Sequence, residues 1–291
     1  MTKETWHQFS LRWLAALASI CVLPAWTFGS QAGKTAREVA TEVMTLPTDE
    51  DIRGLDFNPD GNLLATTSTQ VADVRIWDWR NKRLARTFER AQGSNLLSTE
   101  PVRFGPDGRL LAVCHGPSGP NKSVVRIWNS EPGDVVHDIE EPSNGGRRAI
   151  AFTADGRSLI RILRRPAQAP EDTLVVHDTK TWQPMWGLHT TPFYPTDLAI
   201  SPDGKFAAVA GRVINPERWP FNTARPTFGT PPVRDQSLVV IVDLGAHAIV
   251  RTLQASAERV DWNPDNVHLV AASGLETTVF DARSGEIVAT E

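Results

Sequence analysis

One seven-residue segment recurs along this chain, and the recurrence constrains the fold before any local reading of helix or strand. Leu-Asp-Phe-Asn-Pro-Asp-Gly (55–61), Val-Arg-Phe-Gly-Pro-Asp-Gly (102–108), Ile-Ala-Phe-Thr-Ala-Asp-Gly (150–156) and Leu-Ala-Ile-Ser-Pro-Asp-Gly (198–204) align without gaps. A fifth copy, Val-Asp-Trp-Asn-Pro-Asp-Asn (260–266), keeps the shape with Asn266 in place of the glycine. Successive turns lie 47, 48, 48 and then 62 residues apart, the last spacing stretched by an insertion. A fixed period of this length marks an array of like units, none of which can bury its apolar surface alone.

Each copy reads as a strand, a turn and more strands. Leu55 and Phe57, two residues apart, put apolar side chains on one face, as do Val102 and Phe104. Pro-Asp-Gly is turn chemistry: proline presets φ, aspartate bonds nearby backbone, and glycine takes the positive φ that closes the hairpin. Asn266 tolerates that same conformation. A second strand follows at Leu63–Ala65, Leu110–Ala112, Leu159–Ile160, Phe206–Ala208 and Leu269–Ala271. A third ends at Val74–Asp78, Val125–Asn129, Val175–Asp178, Val240–Asp243 and Thr278–Asp281. Short apolar runs from Leu84, Val135, Pro184, Ile249 and Ile287 supply a fourth. Four strands joined by hairpins make one antiparallel sheet, and a sheet with two apolar faces needs a neighbour on each side, which a ring provides.

The Trp77-Asp78 dipeptide, the Pro-Asp-Gly hairpins and the four-strand period resemble the WD-repeat family over roughly residues 50–291. The resemblance implies an all-β fold, a β-propeller of four-stranded antiparallel blades, and says little about function. Five blades are recognisable, at about 51–90, 98–141, 146–190, 195–254 and 257–291, as a closed five-bladed ring or part of a larger propeller. The family's Gly-His ahead of the first strand is missing from every copy, as is an aspartate at the usual distance before the third strand. The family's His–Ser/Thr–Asp–Trp hydrogen-bond network is therefore not expected. His177, at a tryptophan position, reads as a packed core histidine rather than a ligand. Residues 33–49 form a lead-in whose Glu42-Val43-Met44-Thr45-Leu46 looks like one more outer strand, although the last copy carries its own at Ile287–Ala289.

Residues 1–32 stand apart. Lys3 and Arg12 precede an uncharged stretch from Trp13 to Gly33, and Ser30-Gln31-Ala32 offers small side chains where a signal peptidase reads. This is the layout of a secretory signal peptide, with a membrane anchor over 13–33 as the alternative. Export to a periplasmic or extracellular space is expected. Cleavage after Ala32 leaves 28 basic and 33 acidic residues, net −5, against −4 for the whole chain. It also removes Cys21 and leaves Cys114, within a strand-like run, as a buried structural thiol without a disulfide partner.

Common local signatures of chemistry are missing: there is no Gly-x-Ser-x-Gly elbow, HExxH, Walker loop, GxGxxG or CxxC. The seven histidines show no i, i+2 or i, i+4 pair that could share a metal. No catalytic residue, cofactor or metal is therefore assigned. Asp49-Glu50-Asp51 and Glu140-Glu141 read as solvated loop charges. Arg147-Arg148 with Arg161, Arg164 and Arg165 form a local basic excess, read as surface rather than a nucleic-acid site because the domain as a whole is acidic.

Loop lengths carry the functional expectation. First-to-second and third-to-fourth links are short, whereas second-to-third links run long at 115–123, 164–173 and 212–236, as do links between repeats. In a WD-type propeller the long classes share one face, and variable loops on a rigid scaffold are where binding resides. Candidate partner-binding residues are Arg218, Trp219, Phe221, Arg225 and Phe228 in the largest insertion, with Arg164, Arg165 and Lys122 in its neighbours; tryptophan, arginine and phenylalanine are the types that anchor interfaces. The expected function is an exported, non-enzymatic interaction module for a protein or peptide. A propeller enzyme or small-ligand binder with its site at the channel mouth is the alternative.

Overall fold

The computed structural model describes residues 52–68, 73–88, 99–119, 122–142, 149–162, 174–189, 193–213, 237–274 and 276–290, together with Leu46. Twenty strands form five four-stranded antiparallel sheets arranged in a ring, a five-bladed β-propeller. Blade 1 holds β1 (Ile52–Phe57), β2 (Leu63–Ser68), β3 (Val74–Asp78) and β4 (Arg83–Phe88). Blade 2 holds β5 (Thr99–Phe104), β6 (Leu110–Gly119), β7 (Lys122–Asn129) and β8 (Val135–Pro142). Blade 3 holds β9 (Ala149–Phe152), β10 (Ser158–Ile162), β11 (Leu174–Asp178) and β12 (Pro184–Leu188). Blade 4 holds β13 (Phe193–Ile200), β14 (Phe206–Val213), β15 (Ser237–Asp243) and β16 (Ala248–Gln254). Blade 5 holds β17 (Arg259–Trp262), β18 (His268–Ser273), β19 (Glu276–Asp281) and β20 (Ile287–Thr290). In every blade the strands pair in chain order, so each hairpin joins spatial neighbours.

The recurrent turn forms as its sequence dictates. Gly61, Gly108, Gly156, Gly204 and Asn266 all have positive φ, between 58° and 73°. In blade 1 the Gly61 N–H donates to the Asn58 carbonyl at 2.8 Å, and Asp60 accepts from the Asn62 N–H at 3.0 Å. The same aspartate-to-backbone bond recurs at Asp107, Asp155, Asp203 and Asp265. A second conserved geometry closes the third-to-fourth hairpin, where Lys82, Gly133, Trp182, His247 and Gly285 take positive φ. The residue that ends the third strand caps this turn: Asp178 accepts from the Thr181 N–H at 2.8 Å, and Asp78, Asp243 and Asp281 do likewise. A register shift follows in each of the five third-to-fourth pairings.

Alternation along each strand sends apolar side chains to both faces, and the core lies between blades. Ala65, Val74 and Ile76 of blade 1 pack with Val102, Phe104, Leu111, Val113 and Trp128 of blade 2. Ala112, Cys114, Val125 and Ile127 meet Ile150, Phe152, Leu159 and Trp182 of blade 3. Ile160, Ile162, Leu174 and Val176 meet Leu198, Ala207, Val209 and Val240 of blade 4. Ala208, Ala210, Val239 and Ile241 meet Val260, Trp262, Leu269 and Phe280 of blade 5. Cys114 is buried, as its strand-like context implied.

Three expectations need correction. Glu140 and Glu141 lie in β8 rather than in a loop, because β7 and β8 extend together to the Lys122–Pro142 pair. The supposed 115–123 loop is an extended hairpin, with Gly119 opposite Lys122. The family's side-chain network is present in part: Trp77 Nε1 donates to Thr66 Oγ1 at 2.9 Å within blade 1. His177 behaves as expected. It is 3% exposed, accepts from Arg161 Nε at 2.8 Å through Nε2, and faces the Trp182 carbonyl at 2.9 Å through Nδ1. A carbonyl only accepts, so Nδ1 carries the proton and the ring is neutral. Burial, the largest influence, holds its pKa below the ordinary value, as does the Arg161 charge. Arg161 is therefore a structural partner and not part of a free basic surface.

Candidate functional site

Antiparallel order places first-to-second and third-to-fourth turns at one end of every blade. Second-to-third links and links between blades emerge at the other. At the first end the first-to-second hairpins span 58–62, 105–109, 153–157, 201–205 and 263–267, identical in length and nearly so in backbone geometry. At the opposite end the second-to-third links span 69–73, 120–121, 163–173, 214–236 and 274–275, and the links between blades span 89–98, 143–148, 189–192 and 255–258. Length variation is therefore concentrated on one face of the propeller, the third-to-fourth turns at the other end differing by a single residue.

The strands beneath that face are held rigidly. Thr196 Oγ1 lies within hydrogen-bond distance of the carbonyls of Ala210, at 3.2 Å, and Glu258, at 3.1 Å. Asp197 is 7% exposed and accepts from the Val260 N–H at 3.0 Å, joining blade 4 to blade 5. Nearer the opposite end, Asp56 joins blade 1 to blade 2 by a bond of the same kind two positions farther along its strand, accepting from the Phe104 N–H at 2.8 Å. Arg212, where the 214–236 insertion leaves β14, forms an ion pair with Glu258 of the next link. In blade 2, Arg126 holds Asp138 in a two-bonded pair at 2.7 and 2.6 Å while its guanidinium lies over Trp128. The insertion thus springs from a foot tied to two blades.

Of the candidate binding residues, Arg218, Trp219, Phe221, Arg225, Phe228, Arg164 and Arg165 lie outside the described residues. Lys122 is the first residue of β7, at the tip of the extended β6–β7 hairpin on the same face as the two long insertions. The signal-like segment 1–32 and the strand expected at 42–46, Leu46 apart, also lie outside the described residues. Among the described residues no group of three His, Cys, Asp or Glu side chains is placed to hold a metal ion, and no helix is long and apolar enough to cross a membrane.

A comparison with protein families matches residues 40–78 to the WD domain, G-beta repeat. The U3 small nucleolar RNA-associated protein 12 of Saccharomyces cerevisiae is 23% identical over 170 residues, 55% of this chain and 17% of that protein. Protein hir1 of Aspergillus terreus is 22% identical over 239 residues, 79% of this chain and 21% of its own length. SEC12-like protein 1 of Arabidopsis thaliana is 24% identical over 175 residues, 60% of this chain and 41% of its own length. The chain thus spans less than half the length of each of these relatives.

Proposed function

We propose that this WD-repeat β-propeller is an exported, non-enzymatic interaction module that binds a protein or peptide through the face carrying its long links. The observation that carries this reading is the asymmetry between the two ends of the blades. The hairpins of one end repeat two short turns, whereas the links at the other end range from two residues at 120–121 to 23 at 214–236. A rigid scaffold with variable loops on one side is the arrangement used for binding, since loop changes there leave the core untouched. The match of residues 40–78 to the WD domain, G-beta repeat supports a scaffold of protein interactions, without naming a partner for this chain.

Within that face the insertion after β14 offers the best anchors: Trp219 and Phe221 for apolar contact, Arg218 and Arg225 for charge-assisted bonds. Its five prolines (216, 220, 226, 231, 232) limit the conformations it samples, which lowers the ordering cost of binding. The test is replacement of Trp219 and Phe221 together by alanine, followed by partner capture and thermal melts on the same variant. The reading expects weaker capture with an unfolding transition nearly unchanged. A loss of stability of roughly 3 kcal/mol or more would return these aromatics to the core of their own blade.

A further inference from the structure

The outermost strands differ in charge from blade to blade. Five equivalent stretches, each starting two places beyond the end of the third strand, cover the close of its turn and most of the fourth strand: 80–87, 131–138, 180–187, 245–252 and 283–290. In blade 1 the stretch carries +4, from Arg80, Lys82, Arg83 and Arg86, with no acidic residue among them. Blade 2 carries −3, from Glu131, Asp134 and Asp138. Lys180 gives blade 3 +1, Arg251 gives blade 4 +1, and Arg283 against Glu286 leaves blade 5 at 0. Every residue from Arg80 to Thr87 is exposed, Leu84 at 46%, in a chain whose net charge is −4. Counting Asp78, which precedes the stretch, still leaves +3.

The turn holds these cations in place. Trp79 donates from Nε1 to the Gly61 carbonyl at 2.9 Å and meets Phe57 edge to face, with ring centroids 5.7 Å apart. Arg80 lies over the Trp79 ring, 4.7 Å from its centroid. Asn81 Nδ2 donates to both Asp78 oxygens, at 3.0 and 2.9 Å. Arg83 donates from Nε to Asp78 Oδ2 at 2.9 Å while its side chain stays 69% exposed.

Lys82 stands where the other blades place a packing residue. Its φ is 53°, and its counterparts are Gly133, Trp182, His247 and Gly285. Each counterpart serves a contact across the seam between neighbouring blades. Trp182 stacks on His137 and His247 on Trp186, with ring centroids 5.8 and 4.2 Å apart. Gly133 and Gly285 leave room for Arg86 and Arg251, which donate to the carbonyls of Ser130 at 2.6 Å and Ser284 at 2.8 Å. These rim pairs join the fourth strand of one blade to the third-to-fourth turn of the next. Lys82 is exposed and enters no ion pair or ring contact among the described residues. A lysine in the left-handed region carries strain that glycine would relieve, and what it adds is an exposed ammonium.

Strand β4 is outermost in blade 1, and among the described residues no strand pairs with its outer edge. Such an edge is a row of backbone donors and acceptors open to pairing. We propose that β4 and its turn bind an extended acidic segment of a protein partner, laid along this edge as a further strand. The backbone ladder supplies part of the affinity, and carboxylates on the segment meet Arg80, Lys82, Arg83 and Arg86. Like charge keeps the same segment off the neighbouring edge, where blade 2 presents Glu131, Asp134 and Asp138. A plane of anionic lipid headgroups answers the charge but has no backbone to pair with the edge. Charge on an edge strand also discourages self-association, yet that use does not account for +4 in blade 1 beside +1, +1 and 0 in blades 3, 4 and 5. This surface lies on the rim and is independent of the long-link face.

The probe is a fluorescein-labelled peptide of alternating glutamate and valine, with a lysine–valine peptide as its opposite, each added to the full chain. The acidic peptide alone is expected to bind, less tightly as salt rises, and to slow amide exchange along β4 of the unmodified protein. Arg80→Glu with Lys82→Glu should weaken binding roughly tenfold or more. Lys180→Glu with Lys205→Glu makes the same change of net charge on other blades and should leave binding within about twofold. Failure of the acidic peptide to bind, or unchanged exchange in β4 under saturating peptide, would overturn the proposal. Equal losses in the two double variants would reduce the binding to net charge and overturn it as well. So would binding of vesicles of phosphatidylglycerol and phosphatidylcholine in equal parts without binding of the peptide, which would give the turn to a membrane surface.

Discussion

Replacing the turn glycines by alanine separates backbone strain from seam packing, because the same conformation recurs in different surroundings. Gly61, Gly108 and Gly156 have φ of 69°, 73° and 69°. An L-residue in this left-handed region costs roughly 1–2 kcal/mol, and adding a Cβ returns about 0.4–1 kcal/mol by restricting the unfolded chain. Gly61→Ala meets no described atom within 4 Å and should therefore show the net strain alone, about 1 kcal/mol. Gly108→Ala places its Cβ at ordinary contact distance from Pro59, so it should cost about the same as Gly61→Ala. Gly156→Ala presses to 3.2 Å of Pro106 and should cost more than either. Gly108→Val should cost roughly 2 kcal/mol or more, as a β-branched residue adapts worst. Gly108→Asn should cost least, since Asn266 holds φ of 58° at the same site in blade 5. Urea unfolding with an unchanged slope measures these differences directly. The reasoning fails if Gly61→Ala costs nothing, or if asparagine costs as much as valine.

Two further predictions rest on other features. His115 is 2% exposed, and burial, reinforced by the Arg126 charge and opposed by Asp138, lowers its pKa from 6.5 to about 4. The folded state thus disfavours the charged ring. Stability is complete above about pH 6.5 and falls as the unfolded chain takes up the proton, by up to about 3 kcal/mol near pH 4. His115→Asn should flatten the dependence of unfolding free energy on pH between 7 and 4.5, and an unchanged slope would contradict the assignment. The second concerns export: sequencing the protein from its producing cells should find a mature N-terminus near Gly33 in a soluble extracytoplasmic fraction. An intact segment in membranes would favour the anchor instead.

Most of the fold could be read from the chain because its determinants are local. Proline, aspartate and glycine three in a row fix a hairpin whatever surrounds them, and the five turns form where Gly61 to Asn266 placed them. The alternation of Leu55 and Phe57, or Val102 and Phe104, fixes which side chains face a neighbouring blade. Charge at Glu140 and Glu141 mimics a loop, whereas the outermost strand of a blade borders solvent and accommodates exposed Glu140. The Trp77–Thr66 bond was missed because blade 1 keeps that pair without the family's histidine and aspartate. The rim pairs were hidden for a different reason: they join residues 33 to 61 apart, and no single segment shows them. Aligning the repeats does, since arginine at 86 and 251 faces a glycine-containing turn, and the rings at 137 and 186 face Trp182 and His247. The face proposed for binding was legible only as length, because loop chemistry follows the partner rather than a repeating geometry.

Hydrogen exchange of the propeller with and without a captured partner tests the interaction face most directly. Protection should appear in the links 163–173 and 214–236 and at the tip of the β6–β7 hairpin, while the turns at 58–62, 105–109, 153–157, 201–205 and 263–267 exchange as before. Protection concentrated on those tight turns, with the long links unchanged, would place the partner on the opposite face and contradict the account.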